Sequence, residues 1–283
     1  MIRQDSEPSR GKTPHRFHGL VDRFNKPLPY GSEHLGIQVE MDTLTPLAAL
    51  TTFAIIAMLE VRSDIHGALN RKTGAAIVGF NHQDSIVDTF TIPLLARREK
   101  RSVRMVAKHT LVDPHAQEDP EVLSRTGKMG DWLNRKPGEP PSRFALRQAE
   151  FYRAVGVIPI HRGKPDSEAI RNIEGALAKG QLVGMSLQET RRPANDLLDM
   201  KPGVAMLARR NPDVPVYVVS INGRLKTLFS KRAQVHVSEP FTWNTLPEEH
   251  RTFKKATVYM AGELARTLPD ALKTKWMEAQ QAK

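Results

Sequence analysis

Residues 74–91, Gly-Ala-Ala-Ile-Val-Gly-Phe-Asn-His-Gln-Asp-Ser-Ile-Val-Asp-Thr-Phe-Thr, decide the fold of this chain. The run from Ala75 to Phe80 is small and apolar without a helical period, which predicts a strand buried on both faces. An apolar-periodic segment begins soon after Asn81-His82, so the stretch predicts a strand, a tight loop and a helix. Ligands of open α/β sheets bind beyond the carboxyl ends of the strands. His82 is therefore the first candidate for chemistry.

Both chemical residues of this stretch also have an ordinary structural interpretation. Ser85 and Asp88 have the S-x-x-D spacing of a capping box, so Asp88 can serve the backbone and the dipole at the start of the helix. His82 can be a loop histidine whose ring bonds a neighbouring carbonyl. Spacing alone leaves these alternatives open.

Composition limits the class of protein and its partners. The chain has 283 residues, 40% hydrophobic and 26% charged, as in a globular domain with one sizeable core. It has no cysteine, which excludes disulfides, Cys-ligated zinc and thiol nucleophiles. The net charge of +11 predicts a polyanionic partner: anionic lipid, nucleic acid or a phosphorylated substrate. Only 6% of the residues are aromatic and no recognition-helix pattern occurs, so we expect no nucleic acid partner.

The N-terminal part divides into two segments before the main domain. Residues 1–42 are polar, rich in proline and glycine, and lack the apolar core of a cleavable signal, so they predict a flexible lead-in. Residues 43–62 contain an uncharged apolar stretch up to residue 59, shorter than the roughly 20 residues of a spanning helix. This stretch predicts a helix on the membrane surface or, as the alternative, an ordinary core helix.

Residues 70–275 form the predicted main domain, in which strands alternate with helices. Strands are expected at 75–80, 103–107, 157–160, 182–187 and 214–221, with an edge strand at 234–238 and a long insertion at 113–143. The fold class predicted is α/β: a single mostly parallel sheet flanked by helices, preceded by the membrane-apposed helix.

Four predicted strand ends carry a histidine or a cation, namely His82, Lys108, Arg162 and Arg191. Carboxyl ends of parallel strands meet at one edge, so a possible base lies beside several cations. This arrangement suits an anionic, phosphate-bearing substrate. The alternative is that these residues are solvated basic side chains at the rim of the sheet and bind no specific substrate.

Several blocks, in this order, resemble the glycerolipid acyltransferases, including the 1-acylglycerol-3-phosphate acyltransferases. The blocks cover about 72–225 and are Asn81-His82 with Asp88, Ile160-His161-Arg162, Gln188-Glu189-Thr190-Arg191 with Lys201-Pro202-Gly203, and Val214-Pro215-Val216. The family counterparts are N-H-x4-D, a strand ending in I-x-R, E-G-T-R, and a strand containing V-P. The apolar segment before them also has a membrane-bound counterpart in that family.

The resemblance implies transfer of a fatty acyl group from acyl-CoA or acyl carrier protein to a lysophospholipid hydroxyl, such as that of 1-acylglycerol-3-phosphate. His82 would be the general base and Asp88 would orient its ring. Substrate binding would fall to Arg162, Gln188, Thr190, Arg191, Lys108 and Lys201. No cofactor or metal is implied beyond the thioester donor. The protein would act at an anionic membrane surface, on the cytoplasmic side, as a peripheral or monotopic protein. A non-catalytic lipid-binding relative with the same fold is the alternative.

Two departures from the family pattern bear on these expectations. Five residues separate His82 from Asp88 where the family has four, and one extra residue on a helix would turn the aspartate by about 100°. Because Ser85 keeps its phase to Asp88, we expect the loop to absorb the extra residue, with Asp84 as the rival partner. Gln188-Glu189 replaces Glu-Gly, which removes a charge expected to orient Arg191.

Overall fold

Strands and helices alternate through the part of the chain that the structure describes. The computed structural model describes residues 58–69, 74–82, 85–113, 146, 149–150, 152–153, 156–161, 166–188, 200–223 and 232–266. The lead-in over 1–42, the apolar stretch up to residue 57 and all but the first residue of the predicted insertion over 113–143 lie outside these residues.

The described strands are β1 (Ser63–His66), β2 (Ala76–Phe80), β3 (Val103–Lys108), β4 (Ile158–Ile160), β5 (Leu182–Ser186), β6 (Val216–Asn222) and β7 (Ala233–Val237). The described α-helices are α1 (Ser85–Arg98), α2 (Ser167–Ala178), α3 (Gly203–Arg210) and α4 (Phe253–Arg266). Short 3-10 turns occur at His109–Leu111 and Glu248–His250. Residues 58–62 are also helical.

Within the described residues, the strands form one mixed sheet in the order β1-β7-β6-β2-β5-β3-β4. The five strands from β6 to β4 are mutually parallel, and β1 and β7 are parallel to each other but run against β6. The predicted α/β class with a single, mostly parallel sheet flanked by helices is confirmed. The carboxyl ends of β6, β2, β5, β3 and β4 therefore share one edge of the sheet.

The prediction that residues 234–238 form an edge strand is wrong. β7 pairs with β6 on one side and with β1 on the other, and β1 is the edge strand at this end of the sheet. β1 is only four residues long, and its sequence Ser-Asp-Ile-His has neither an apolar run nor a clear alternation. Sequence patterns therefore gave no sign of the strand that covers β7.

Two apolar layers sandwich the sheet. On one face, α1 packs through Val87, Phe90, Leu94 and Leu95 against alternate residues of the central strands. On the other face lie α2, α3 and α4. β2 is buried along its whole length, as expected for a strand covered on both sides. This burial gives the loop after β2 a rigid base.

Local sequence explains how α2 begins and ends. The carboxylate of Asp166 accepts the backbone N–H of Ala169 at 3.0 Å, which satisfies one of the free donors of the first turn. Gly180 has a positive φ of 73°, and the N–H groups of Gly180 and Gln181 donate to Leu177 and Ala176. This is a Schellman end, for which glycine is favoured.

In the part of the chain that the structure describes, no helix combines the length and the apolarity needed to cross a bilayer.

Candidate active site

His82 and Asp88 meet at the carboxyl end of β2. His82 follows the strand after one residue, and Asp88 lies in the first turn of α1. The His82 Nδ1 and Asp88 Oδ2 atoms are 2.8 Å apart. The Asp88 side chain is 1% exposed and the His82 ring 22%. The imidazole is thus held through Nδ1 by a buried carboxylate, while part of the ring remains exposed to solvent.

The two side chains meet although one more residue separates them than in the family motif. Asp88 reaches His82 from the first turn of α1, which begins at Ser85. The rival partner Asp84 and the side chain of Ser85 lie outside the described residues. A ring nitrogen in contact with a buried carboxylate also differs from the ordinary interpretation of His82, in which a carbonyl satisfies the ring.

The contact fixes which nitrogen of His82 is basic. An ionised carboxylate only accepts hydrogen bonds, so Nδ1 carries the proton and Nε2 keeps its lone pair. A buried carboxylate in this position also stabilises the imidazolium that forms when Nε2 takes a proton. The geometry therefore suits a general base acting on a hydroxyl group.

Asn81 anchors the residue before the base to the sheet. Its side-chain Nδ2 donates to the Ile221 carbonyl at 2.8 Å, and its Oδ1 accepts the Ile221 N–H at 2.7 Å. The side-chain amide thus takes the place of a peptide group between β2 and β6. Asn81 is 2% exposed, so these two bonds form away from solvent.

Gln188 contacts the backbone of His82 from the neighbouring strand. Its Oε1 accepts the His82 N–H at 2.7 Å, and the side chain is almost fully buried. Ser186 fixes this segment, because its hydroxyl donates to the Gln188 carbonyl and accepts the Gln188 N–H. The sequence placed Gln188 among the substrate-binding residues, whereas the structure brings it to the main chain of the base.

The cations predicted at the strand ends are described only in part. Lys108 is the last residue of β3, which is separated from β2 by β5, so the two strands lie about 10 Å apart. Lys201 is exposed, and its backbone N–H donates to the Leu187 carbonyl at 2.9 Å, just before α3. Arg162, Thr190 and Arg191 lie outside the described residues.

A second histidine–aspartate pair lies at the same sheet edge, and the sequence analysis missed it. The His161 Nδ1 and Asp166 Oδ2 atoms are 2.7 Å apart, just beyond the end of β4. The ring of His161 also stacks on that of His109, with centroids 4.2 Å apart. Four residues separate His161 from Asp166, which is the spacing of the family motif, and this spacing is the signal that could have revealed the pair.

The two pairs differ in the burial and in the hydrogen-bond partners of their side chains. Asp166 accepts three hydrogen bonds, from the His161 ring, the His161 N–H and the Ala169 N–H. The bonds from the Ala169 and His161 backbones lower the pKa of Asp166 to about 2. The His161 side chain is 44% exposed, twice the exposed fraction of His82. Asp166 therefore mainly caps α2 and closes a loop, whereas Asp88 holds a ring from a buried position.

The two pairs are also separate in space. β2 and β4 are three strand spacings apart in the sheet, a distance of about 14 Å. Neither pair can complete the other, so they are competing candidates for the base. Within the described residues, no group of three or more histidine or carboxylate side chains could hold a metal ion.

Comparisons with known proteins give a likeness of fold. No protein-family model matches the chain. No curated protein matches it. Among solved structures, the chain is similar to the 1-acyl-sn-glycerophosphate (LPA) acyltransferase PlsC from Thermotoga maritima, with a TM-score of 0.45 and 18% identity over 88% of this chain and 87% of that chain.

Proposed function

We propose that this protein is an O-acyltransferase that uses the His82–Asp88 pair to move a fatty acyl group from a thioester to a lysophospholipid hydroxyl. The observation that carries the proposal is the 2.8 Å contact between His82 Nδ1 and the buried Asp88 carboxylate. It makes Nε2 the basic nitrogen of a ring at the edge of the sheet where ligands of α/β proteins bind.

The reaction needs a base because a hydroxyl is a weak nucleophile at neutral pH. The Nε2 atom of His82 takes the hydroxyl proton as the oxygen attacks the thioester carbonyl. The tetrahedral intermediate then collapses, the carbon–sulfur bond breaks, and the thiolate leaves and receives the proton from His82. The products are an ester and a free thiol. Asp88 keeps the ring oriented and stabilises its charged form. No covalent acyl-enzyme and no cofactor take part.

The acceptor is a lysophospholipid with a phosphate group, such as 1-acylglycerol-3-phosphate, and the donor is acyl-CoA or acyl carrier protein. The motif resemblance and the net charge of +11 support an anionic acceptor. Lys108 is the last residue of β3 and Lys201 lies just before α3, whereas Arg162, Thr190 and Arg191 are assigned to the phosphate by the sequence blocks alone. Guanidinium groups match phosphate oxygens through paired hydrogen bonds.

We also propose that the protein works on the cytoplasmic face of an anionic membrane, as a peripheral or monotopic protein. The acceptor is itself a membrane lipid, and the apolar sequence over 43–57 would contact the bilayer, whereas Leu59 is buried in the core. Basic residues add an attraction to anionic head groups that salt screens.

Thiol release separates this proposal from its alternatives. Because the chain has no cysteine, a thiol-reactive dye reports only the CoA that the reaction releases. We expect His82→Ala to reduce the turnover of acyl-CoA with lysophosphatidate by at least about 10²-fold. His161→Ala is the matched control, since it removes the ring of the second pair, and its kcat should stay within about tenfold of the parent.

Each possible result has a distinct meaning. If His161→Ala loses the turnover and His82→Ala keeps it, His161 is the base and the His82 assignment is wrong. If the parent protein binds lysophospholipid vesicles but releases no thiol with any acyl donor, the protein is a non-catalytic lipid-binding relative.

A further inference from the structure

Gln188 accepts a hydrogen bond from the backbone N–H of His82, a contact that has no part in the proposed mechanism. Its Oε1 atom is 2.7 Å from the backbone nitrogen of His82, and Gln188 lies two residues beyond β5, the strand that pairs with β2. The side chain is 3% exposed. A group this buried, with its oxygen already engaged by a backbone N–H, has little surface left for a substrate.

The backbone around Gln188 is itself fixed. The Ser186 hydroxyl bonds both the N–H and the carbonyl of Gln188, and the Leu187 N–H donates to the Phe80 carbonyl at 2.8 Å. Gln188 also forms an antiparallel bridge with Met200. The end of β5 is thus tied to the end of β2 and to the segment before α3. A side chain mounted on such a segment can hold its partner in a defined position.

His82 is therefore held at two points. Asp88 holds the ring through Nδ1, and Gln188 holds the main chain through the N–H. The base lies in a loop after β2, where the backbone bonds of the strand have ended. Without an acceptor, the His82 N–H would have to turn toward water, and the loop would carry the ring with it. A displacement of about 1 Å at a reacting group can cost about 10²-fold in rate.

We propose that Gln188 is a positioning residue whose carbonyl oxygen sets the place of His82. The required group is the acceptor oxygen, and neither the NH₂ group nor a charge is needed. The catalytic part of this inference rests on the proposed function, whereas the hydrogen bond that it describes does not. The proposal also explains how glutamine can replace the glutamate of the family motif at this position. An amide and a carboxyl group both offer an oxygen to the His82 N–H.

Three substitutions at this position separate the oxygen from the other properties of the side chain. Gln188→Glu keeps an acceptor oxygen, Gln188→Met keeps the length without an acceptor, and Gln188→Asn keeps the amide but is shorter by one C–C bond of about 1.5 Å. Gln181→Met is the matched control, because Gln181 is a buried glutamine at the opposite end of β5. The asparagine variant answers the question even if the methionine variant fails to fold.

Two measurements on the full-length protein test the inference. Amide hydrogen exchange by NMR should show that the His82 N–H is protected from exchange in the parent, in Gln188→Glu and in Gln181→Met. This protection should be lost in Gln188→Met and in Gln188→Asn. Thiol release should show kcat reduced by about 10- to 100-fold in the latter two, with KM for the lysophospholipid nearly unchanged. The exchange measurement stands even if the protein turns over no thioester.

Three outcomes would overturn the inference. A raised KM with an unchanged kcat in Gln188→Met would make Gln188 a substrate-binding residue, as the sequence blocks predicted. A His82 N–H that stays protected in both Gln188→Met and Gln188→Asn would mean that another acceptor holds it. Loss of both protection and kcat in Gln188→Glu would contradict the claim that the oxygen alone is needed.

Discussion

Replacing Asp88 by asparagine keeps the size of the side chain and removes its charge. In the parent protein the carboxylate accepts the His82 Nδ1–H at 2.8 Å from a site that is 1% exposed. The asparagine carbonyl can still accept this bond, but as a neutral group. Its NH₂ can instead donate to Nδ1, which places the ring proton on Nε2 and removes the basic nitrogen. Both arrangements weaken the base without removing the histidine.

The expected fall in kcat follows from the loss of the hydrogen bond between His82 Nδ1 and the charged carboxylate. A hydrogen bond to a charged group is worth about 1.5–3 kcal/mol, and the imidazolium that this charge stabilises exists only after the proton is taken. With 1.36 kcal/mol for each factor of ten in rate, kcat should fall by about 10- to 150-fold. The ground-state complex does not depend on this charge, so KM should change little. The ring in the wrong tautomer would add to the loss.

The assay is thiol release from acyl-CoA at saturating lysophosphatidate, with Asp166→Asn as the matched control. Asp166 has the same relation to His161, at 2.7 Å, but its carboxylate also caps α2. Asp166→Asn should leave kcat within about threefold. Any change should appear in KM, because the loop that Asp166 closes contains Arg162. Thermal unfolding of both variants separates lost activity from lost structure.

One result would refute the reasoning. If Asp88→Asn keeps kcat within about threefold while Asp166→Asn loses it by 10²-fold, burial of the carboxylate does not identify the catalytic pair. The exposed pair with the family spacing would then be the base and its partner.

Three further predictions concern the rest of the molecule. Arg191→Lys should raise KM for the phosphorylated acceptor and hardly affect the acyl donor, because lysine lacks the guanidinium fork; Arg162→Lys is the companion variant. Removal of residues 1–57 should weaken flotation with anionic vesicles, and the shortened chain should begin at Met58 so that the buried Leu59 stays in the core. Asp166→Asn should lower the free energy of unfolding by about 1–2 kcal/mol at neutral pH, since a pKa lowered from 3.8 to about 2 corresponds to at most about 2 kcal/mol before solvent screening.

Each of these predictions has a result that contradicts it. Loss of donor affinity alone in Arg191→Lys would place Arg191 on the thioester side. Equal flotation of the full and shortened chains would make 43–57 a packing segment. For Asp166, the lowered pKa means that the stabilisation is present above about pH 4 and is lost as the pH falls toward 2. A difference between parent and Asp166→Asn that does not shrink between pH 4 and pH 2 would show that the carboxylate charge is not its source.

The strand–loop–helix unit over 74–98 was predictable because its signals are local. A fully buried strand leaves an uninterrupted apolar run, and a helix leaves an apolar period, so β2 and α1 were found within a residue of their ends. The edge of the sheet was not predictable, because the four residues of β1 have no such pattern. The position of β7 depends on β1, whose Ser63 pairs with Ala233, 170 positions later in the chain.

The chemistry of the site was predictable in part for a similar reason. His82 and Asp88 are six positions apart, so a loop and a helix start were enough to suggest their contact. The bond between Gln188 and the His82 N–H joins residues 106 positions apart and depends on the pairing of β2 with β5. Sequence blocks assign such a residue to the substrate because they record its identity and not its orientation. The His161–Asp166 pair is also local and has the spacing of the family motif, so the sequence could have revealed it.

The two bonds of Asn81 to Ile221 have a consequence for motion at the site. They join the last residue before His82 to β6 as firmly as a further rung of the ladder would, so the main chain of β2 and β6 must move as one body. Asp88, in contrast, belongs to α1. This helix packs on the sheet through apolar contacts, which depend little on direction. A tilt of this helix relative to the sheet would therefore change the distance between the His82 ring and the Asp88 carboxylate.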